Sequence, residues 1–135
     1  MTQKAFKNLC SSFAVIYAGG GLLFALSPVW VVKLCNTVGT YLLGLKAAPY
    51  PAELFYSALA VGMMATIATC MLMAALNPSR WQIFLLPVFV EKCVSSSLGL
   101  LFFLILEANV AYLTLFVVDF PLALLSLYLL MVRLK

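Results

Sequence analysis

The pattern of hydrophobic and polar positions divides this chain into four long apolar stretches separated by short polar breaks. The stretches cover about residues 8–27, 52–76, 81–106 and 110–131. A helix needs about 20 predominantly apolar residues to span the hydrocarbon core of a bilayer, and each stretch reaches that length. The pattern therefore predicts an all-α, polytopic integral membrane protein with four transmembrane helices in a single transmembrane domain, residues 1–135.

A fifth segment, residues 29–46, lies between the first two stretches and mixes apolar with polar positions. Polar residues such as Lys33 and Lys46 make it too polar to span a bilayer, yet it is too apolar for a free loop. Segments of this kind form amphipathic helices in the membrane interface, and Trp30 and Tyr41 suit the headgroup level. We therefore expect an interfacial amphipathic helix between the first and second spans.

The composition supports a membrane location. Of the 135 residues, 66% are hydrophobic and 9% are charged, whereas a soluble domain carries about 25% charged residues. A water-soluble fold of this size could not cover so much apolar surface, so the lipid bilayer is the expected partner. The net charge of +4 is dispersed, without the Lys or Arg run that is typical of nucleic-acid binding, so we expect no nucleic acid.

The basic residues predict how the chain is oriented. Five of them are expected on one side of the membrane, at the termini and in the turn between the second and third spans: Lys4, Lys7, Arg80, Arg133 and Lys135. On the other side, Lys33 and Lys46 are balanced by Glu53 and Glu107. Because cytoplasmic segments carry an excess of Lys and Arg, we predict a multi-pass protein of the cell membrane with both termini cytoplasmic.

The residues of catalytic and metal chemistry are sparse. The chain has no His, and its four cysteines form no CxxC motif, which excludes the usual His-ligated haem, zinc and di-iron sites. We expect no metal and no other cofactor. With neither a Ser/His nor a Cys/His pair and no phosphate-binding loop, the sequence predicts that the protein is not an enzyme. Cys10, next to the membrane, is interpreted as a packing residue in preference to an acylation site.

Three charged residues interrupt the third and fourth stretches. Glu91 and Lys92 lie about 15 Å along the third span from Trp81, and Asp119 lies about 14 Å along the fourth from Val110, at 1.5 Å per residue. The two helices are joined by a very short link, so these charges fall at matching depth near the midplane. Each Asp or Lys costs about 2.5 to 3.5 kcal/mol at that depth. We therefore predict a Lys92–Asp119 ion pair or a Lys92/Glu91/Asp119 cluster, the simple pair leaving Glu91 without a partner.

Small and polar residues continue the face of Lys92. Ser95, Ser96 and Gly99 follow it by three, four and seven residues, so they lie on the same side of the third helix. In the first span, Gly19–Gly21 predicts a close helix–helix crossing, and Tyr17 lies within reach of the bundle interior. These side chains are the candidate surroundings of the buried charges.

Two roles fit charges inside a membrane. They mark a transport pathway or ligand site, or they form an internal ion pair that fixes the packing of helices. A transporter needs more polar lining than these spans offer, so we favour an accessory or scaffold subunit of a larger membrane complex, with partner subunits or as a homo-oligomer. The alternatives are a small-solute or proton-linked transporter that acts as an oligomer around Lys92 and Asp119, and a quinone- or lipid-binding protein that uses Tyr17, Trp30 and the third span.

The order of these elements resembles that of DoxX-type small four-helix membrane proteins, which also place a partly amphipathic segment between the first two spans. The resemblance covers the outline of the chain and implies the same topology. Small multidrug transporters are similar in length and number of spans. They depend on a carboxylate in the first span, however, and residues 8–27 contain none.

Overall fold

The structure is a computed structural model that describes residues 1–50 and 54–134. Residues 51–53 and Lys135 lie outside the described residues. The predicted start of the second span at residue 52, the contribution of Glu53 to the charge balance and that of Lys135 therefore lie outside them as well.

The described residues form six α-helices and one short 3-10 turn. They are α1 (Gln3–Leu26), α2 (Pro28–Leu43), α3 (Leu54–Leu76), α4 (Pro78–Trp81), the 3-10 turn Gln82–Phe84, α5 (Leu85–Ile105) and α6 (Val110–Met131). Four helical stretches are long and apolar enough to cross a membrane: Gln3–Leu26, Ser57–Leu76, Pro78–Ile105 and Val110–Met131. The prediction of an all-α protein with four membrane-spanning helices is confirmed.

Local sequence explains where the first two helices begin and end. The Thr2 hydroxyl accepts a hydrogen bond from the Ala5 amide at 3.2 Å and so caps α1. Pro28 occupies the first turn of α2, where its missing amide proton costs nothing. Gly44 ends α2 in the left-handed conformation, φ 63°, which glycine adopts without steric cost. The chain therefore turns sharply at both ends of α2.

The spanning helices pack as two antiparallel pairs, α1 with α3 and α5 with α6. Contact between the pairs is much less extensive and is concentrated where the chain begins and ends. Buried apolar residues from all four helices form the core at that end: Phe6, Cys10, Ala14, Ile67, Met71, Ala74, Ala75, Leu85, Val88 and Leu129. Cys10 is fully buried, as expected of a packing residue. The Met1 amino group also donates to the Arg133 carbonyl at 3.4 Å, so both termini share one end.

The third span, predicted over about residues 81–106, contains a short irregular turn near its start. Its helical structure begins at Pro78, passes through the 3-10 turn, and becomes regular only at Leu85. Pro87 explains the break, because proline lacks an amide proton and its ring displaces the carbonyl four residues earlier. The Gln82 side-chain amide nitrogen lies within hydrogen-bonding distance of three carbonyls near the end of α6, those of Leu129 at 2.5 Å, Leu130 at 3.1 Å and Val132 at 3.1 Å. The turn thus ties the start of the third span to the end of the fourth.

At the opposite end of the molecule, α2 and the segment after it pack on the start of α6. The Asn36 side-chain amide donates to the Ala48 carbonyl at 2.8 Å and its oxygen accepts from the Ala48 amide at 2.7 Å. Lys46 and Asn109 form an isolated parallel bridge. We call α2, residues 44–50 and the 106–110 link the outer cap. The helical part of the predicted segment 29–46 is present, whereas its position in the membrane interface stays a prediction.

An exposed ion pair closes the outer cap. Lys46 binds the carboxylate of Glu107, and this hydrogen bond lowers the pKa of Glu107 below its usual value of 4.5. The two residues are far apart in the sequence, yet the distribution of charges predicts both on the same side of the membrane. Their contact agrees with that expected sidedness.

Candidate functional site: a buried charge cluster on α5 and α6

Lys92 and Asp119 form a buried ion pair between α5 and α6. The Lys92 ammonium donates to Asp119 Oδ1 at 2.9 Å, and the two side chains are only 7% and 8% exposed. The predicted pair is therefore present. The short link between the helices places residues of equal depth opposite one another, and this is why depth counting identified the partner.

Ser95 completes the coordination of Asp119. Its hydroxyl donates to Asp119 Oδ2 at 2.5 Å, so each carboxylate oxygen accepts one hydrogen bond from α5. Ser95 lies one turn after Lys92, which directs both side chains to the same face of the helix. Asp119 is thus held by two donors from a neighbouring helix.

Glu91 belongs to the same cluster, although a Lys92–Asp119 pair by itself would leave Glu91 without a partner. Its Oε2 lies 3.1 Å from the Lys92 ammonium, which therefore contacts two carboxylates. The orientation does not make this contact a hydrogen bond, and Oε2 is buried without a hydrogen-bond donor. Of the two predicted arrangements the structure contains the three-residue cluster, with Glu91 as its incompletely satisfied member.

The cluster holds more negative than positive charge. Glu91 and Asp119 each contribute one formal negative charge and Lys92 contributes one positive charge, so the group carries a formal surplus of one negative charge. Buried charges are strongly destabilising unless they are paired and hydrogen-bonded. The surplus lies on the side of Glu91, because both oxygens of Asp119 have donors.

Tyr17 connects α1 with the cluster. Its ring centroid lies 5.2 Å from the Lys92 ammonium, within the range of a cation–π interaction. The Tyr17 hydroxyl is buried and has no hydrogen-bond partner. The predicted approach of Tyr17 to the interior is therefore present, and it lets the α1–α3 pair contact the charges of the α5–α6 pair.

Ser96 and Gly99 serve the packing of the helices more than the charges. Ser96 is buried and donates to the Cys93 carbonyl of its own helix at 3.2 Å. A Cβ at Gly99 would lie 2.8 Å from the Leu115 Cβ and 2.9 Å from the Tyr112 carbonyl oxygen. Gly99 thus allows α6 to approach α5 two turns beyond Lys92, while Ser95 alone of the three contacts Asp119.

Sequence reasoning missed Ser126, a buried residue of α6 whose hydroxyl has no partner. Ser126 follows Asp119 by seven residues and therefore lies on the same helix face, a spacing that could have identified it. Asn36 and Asn109, the buried polar residues of the outer cap, were missed as well. The Asn109 oxygen caps α6 by accepting from the Ala111 amide, a local contact that the sequence could have indicated. The contacts of Asn36 with Ala48 and of the Asn109 amide with the Ala47 carbonyl are nonlocal, and no spacing rule indicates them.

A cleft lies between α3 and α5 beside the cluster, with a volume of about 340 Å³. Gly62, Met63 and Thr66 line it on α3, and Val88 and Glu91 line it on α5. Glu91 is the single charged residue among its lining residues in the described part of the chain. Glu91 therefore lies between the apolar cleft and the cluster, with its Oε2 buried against the Lys92 ammonium.

The fold and the cluster define the class of protein: an all-α chain with four helices suited to cross a membrane and an ion pair buried between two of them. Within the described ranges 1–50 and 54–134, no group of three or more His, Cys, Asp or Glu side chains is placed to hold a metal ion. Comparison of the chain with family models, curated proteins and solved structures found no match. The resemblance to DoxX-type proteins stays a prediction.

Proposed function

We propose that this protein is a non-enzymatic accessory or scaffold subunit of a larger membrane assembly, in which the buried charge cluster fixes the packing of α5 on α6. The observation that carries the proposal is the way Lys92, Ser95 and Asp119 satisfy one another across the helix interface. Polar groups used in this way hold two helices in a single register. The cluster then holds α5 and α6 in one fixed arrangement.

The distribution of apolar surface also supports an assembly role. Large apolar side chains are exposed on each spanning helix, for example Ile16 at 63%, Leu72 at 48%, Val94 at 53% and Leu124 at 53%. Such surface can face lipid or the helices of other subunits. A chain of this size buries little of its apolar surface internally, so enough remains exposed to contact both lipid and other subunits.

The transporter alternative requires more than the described residues supply. A conduction path needs polar groups that bind a solute favourably enough to admit it and weakly enough to release it. Here the oxygens of Asp119 and the ammonium of Lys92 are occupied by one another and by neighbours on the same two helices. This closed arrangement favours the accessory role.

The proposal also includes where the protein lies and how it is oriented. We place the protein in the cell membrane as a multi-pass protein with both termini cytoplasmic, on the basis of the excess of basic residues at that end. The Met1–Arg133 and Gln3–Ser79 hydrogen bonds support a shared side for the termini and the turn after α3.

Purification of the tagged chain from its native membrane in mild detergent tests the proposal. We expect the chain to elute with other membrane proteins, or with further copies of itself, at a constant ratio by native mass spectrometry. Recovery of the lone chain only would refute the proposal. Ion and solute flux through proteoliposomes that is abolished by Asp119→Asn while the oligomer stays intact would instead establish a transporter.

A further inference from the structure

The cleft between α3 and α5 has the size of a binding site. Its volume of about 340 Å³ falls within the range of about 300 to 1,000 Å³ that small-molecule sites occupy. One wall is formed by α3, with small side chains at every fourth position and larger apolar ones beside them: Ala58, Gly62, Thr66 and Cys70, with Leu59, Met63 and Ile67. Pro87, Val88 and Glu91 of α5 form the opposite wall.

The α3 wall of the cleft is long, and the α5 wall is shorter. Twelve residues separate Ala58 from Cys70, which is about 18 Å at 1.5 Å per residue. A helix about 18 Å long and about 10 to 12 Å across, side chains included, occupies roughly 1,400 Å³ or more. That is several times the cleft volume of about 340 Å³, so a helix does not fit. One extended hydrocarbon chain does, and at Gly62 the cleft is open, because a Cβ there would meet nothing within 4 Å.

The walls leave Glu91 as the polar group that a ligand meets. The Thr66 hydroxyl donates to the Gly62 carbonyl of its own helix at 2.9 Å and is therefore satisfied. Glu91 Oε2 is fully buried and lies 3.1 Å from the Lys92 ammonium, so Oε1 is the oxygen that a ligand in the cleft would reach. A molecule in the cleft would thus find hydrocarbon along most of its length and one carboxylate on the α5 wall.

The charge of the cluster indicates the head group. Glu91 and Asp119 outnumber Lys92 by one formal charge, so a ligand with one positive charge brings the site to neutrality. A protonated amine can also donate a charge-assisted hydrogen bond to this carboxylate. A neutral head group would leave the surplus in place, and an anionic one would increase it.

We propose that the α3–α5 cleft is a binding site for a lipophilic amine, a molecule with one extended hydrocarbon chain and a protonated amino group. The chain lies along the small residues of α3 and the amino group binds Glu91. This inference goes beyond the accessory role and does not depend on it, because an assembly subunit and a lone chain would present the same cleft.

Photolabelling of the full chain in lipid nanodiscs tests the site. The probes are a long-chain alkylamine with a diazirine in its chain and the matching alcohol, each used with and without an excess of unreactive alkylamine. Mass spectrometry should locate the amine adducts on α3 and α5 around the cleft. We expect about tenfold more labelling by the amine than by the alcohol, because a charge-assisted hydrogen bond distinguishes them.

Matched variants distinguish the contribution of the head-group contact from that of the cleft volume. Glu91→Gln should remove the preference for the amine while the alcohol still labels the cleft, and Glu107→Gln, in the outer cap, should change neither. Gly62→Leu should fill the cleft and remove specific labelling by both probes. Gly19→Leu is its control, since a Cβ at Gly19 also meets nothing within 4 Å but lies on α1, outside the cleft.

Several outcomes would overturn the inference. They are equal labelling by amine and alcohol, a preference for the amine that survives Glu91→Gln, adducts spread evenly over the lipid-facing residues, and a second copy of the chain crosslinked in the cleft. Circular dichroism and thermal unfolding establish that each variant is folded. If Glu91→Gln does not fold, competition in the unaltered chain together with Thr66→Leu, which narrows the cleft, still decides the question.

Discussion

At the scale of single residues, the charges of the cluster are not equivalent. Lys92→Met should destabilise the protein by about 3 to 5 kcal/mol, the usual cost of breaking a buried ion pair, because it leaves Glu91 and Asp119 without their shared cation. Asp119→Asn should cost less, since Lys92 then neutralises Glu91 and the amide oxygen still accepts from Ser95. The free energy of unfolding in mixed micelles measures both.

Lys33→Met provides the control for that comparison, because Lys33 is an exposed lysine of α2. Its replacement should change the free energy of unfolding by no more than about 0.5 kcal/mol. If Asp119→Asn and Lys92→Met lower the free energy of unfolding by the same amount, the surplus charge of Glu91 does not affect stability.

Only part of this site could be predicted from the sequence. The Lys92–Asp119 pair follows from helix rise and a short link, and the contact of Ser95 follows from its position one turn after Lys92. The sequence left open whether Glu91 also reaches this ammonium, because the choice between the pair and the three-residue cluster depends on rotamers rather than on helix geometry. The approach of Tyr17 depends on how α1 rotates against α3, which packing alone determines.

At the scale of helices, Gly99 sets the distance between α5 and α6. Gly99→Ala should destabilise the protein by about 1 to 3 kcal/mol, the cost of overpacking, because the added Cβ would lie 2.8 Å from the Leu115 Cβ. Gly62→Ala is the matched control, with nothing within 4 Å of its new Cβ. It should leave stability unchanged or increase it by up to about 1 kcal/mol, the helix preference of alanine.

Thermal and chemical unfolding of the two alanine variants in the same detergent measure this difference. Equal stabilities for Gly99→Ala and Gly62→Ala would mean that α5 and α6 are farther apart in the membrane than in this structure.

Asn36 should control whether the outer cap stays closed. Asn36→Leu removes both hydrogen bonds to Ala48, so the Ala48 amide should exchange its hydrogen about tenfold faster, the equivalent of about 1.4 kcal/mol. Thr37→Val is the matched control, because the Thr37 hydroxyl bonds only to the Lys33 carbonyl of its own helix. Hydrogen exchange followed by mass spectrometry reports on the segment. An unchanged rate at Ala48 in Asn36→Leu would contradict this role.

The helices were easier to predict than the contacts between them. Apolar length identifies the spanning helices, and Gly44 marks the end of α2. The docking of α2 is different: a Cβ at Gly39 would clash with a methyl group of Val110, so the two elements meet where neither sequence pattern shows it. The break before Leu85 depends on Pro87 together with the bonds of Gln82 to the end of α6. Long-range contacts of this kind have no local signature.

At the scale of the whole molecule, the two helix pairs are joined by the apolar core at one end and by the outer cap at the other. The contacts of α3 with α5 are few compared with those inside each pair, and the cleft lies where they separate. The buried charges stand on the α5–α6 side of this division, with Tyr17 reaching them from the other pair. A ligand in the cleft would therefore contact both pairs at once.

This architecture makes a definite prediction about sidedness. Single cysteines that replace Lys4, Ser79 and Glu107 should react differently with an impermeant maleimide in intact cells, because the first two lie at the end of the termini and the third lies in the outer cap. We expect Glu107→Cys to be labelled at once, and Lys4→Cys and Ser79→Cys only after permeabilisation, since basic residues favour the cytoplasmic side. The unaltered chain, with its four free cysteines, measures the background.

Labelling of all three cysteine variants from one side would contradict a four-span topology. The reversed pattern would retain the four spans and overturn the orientation.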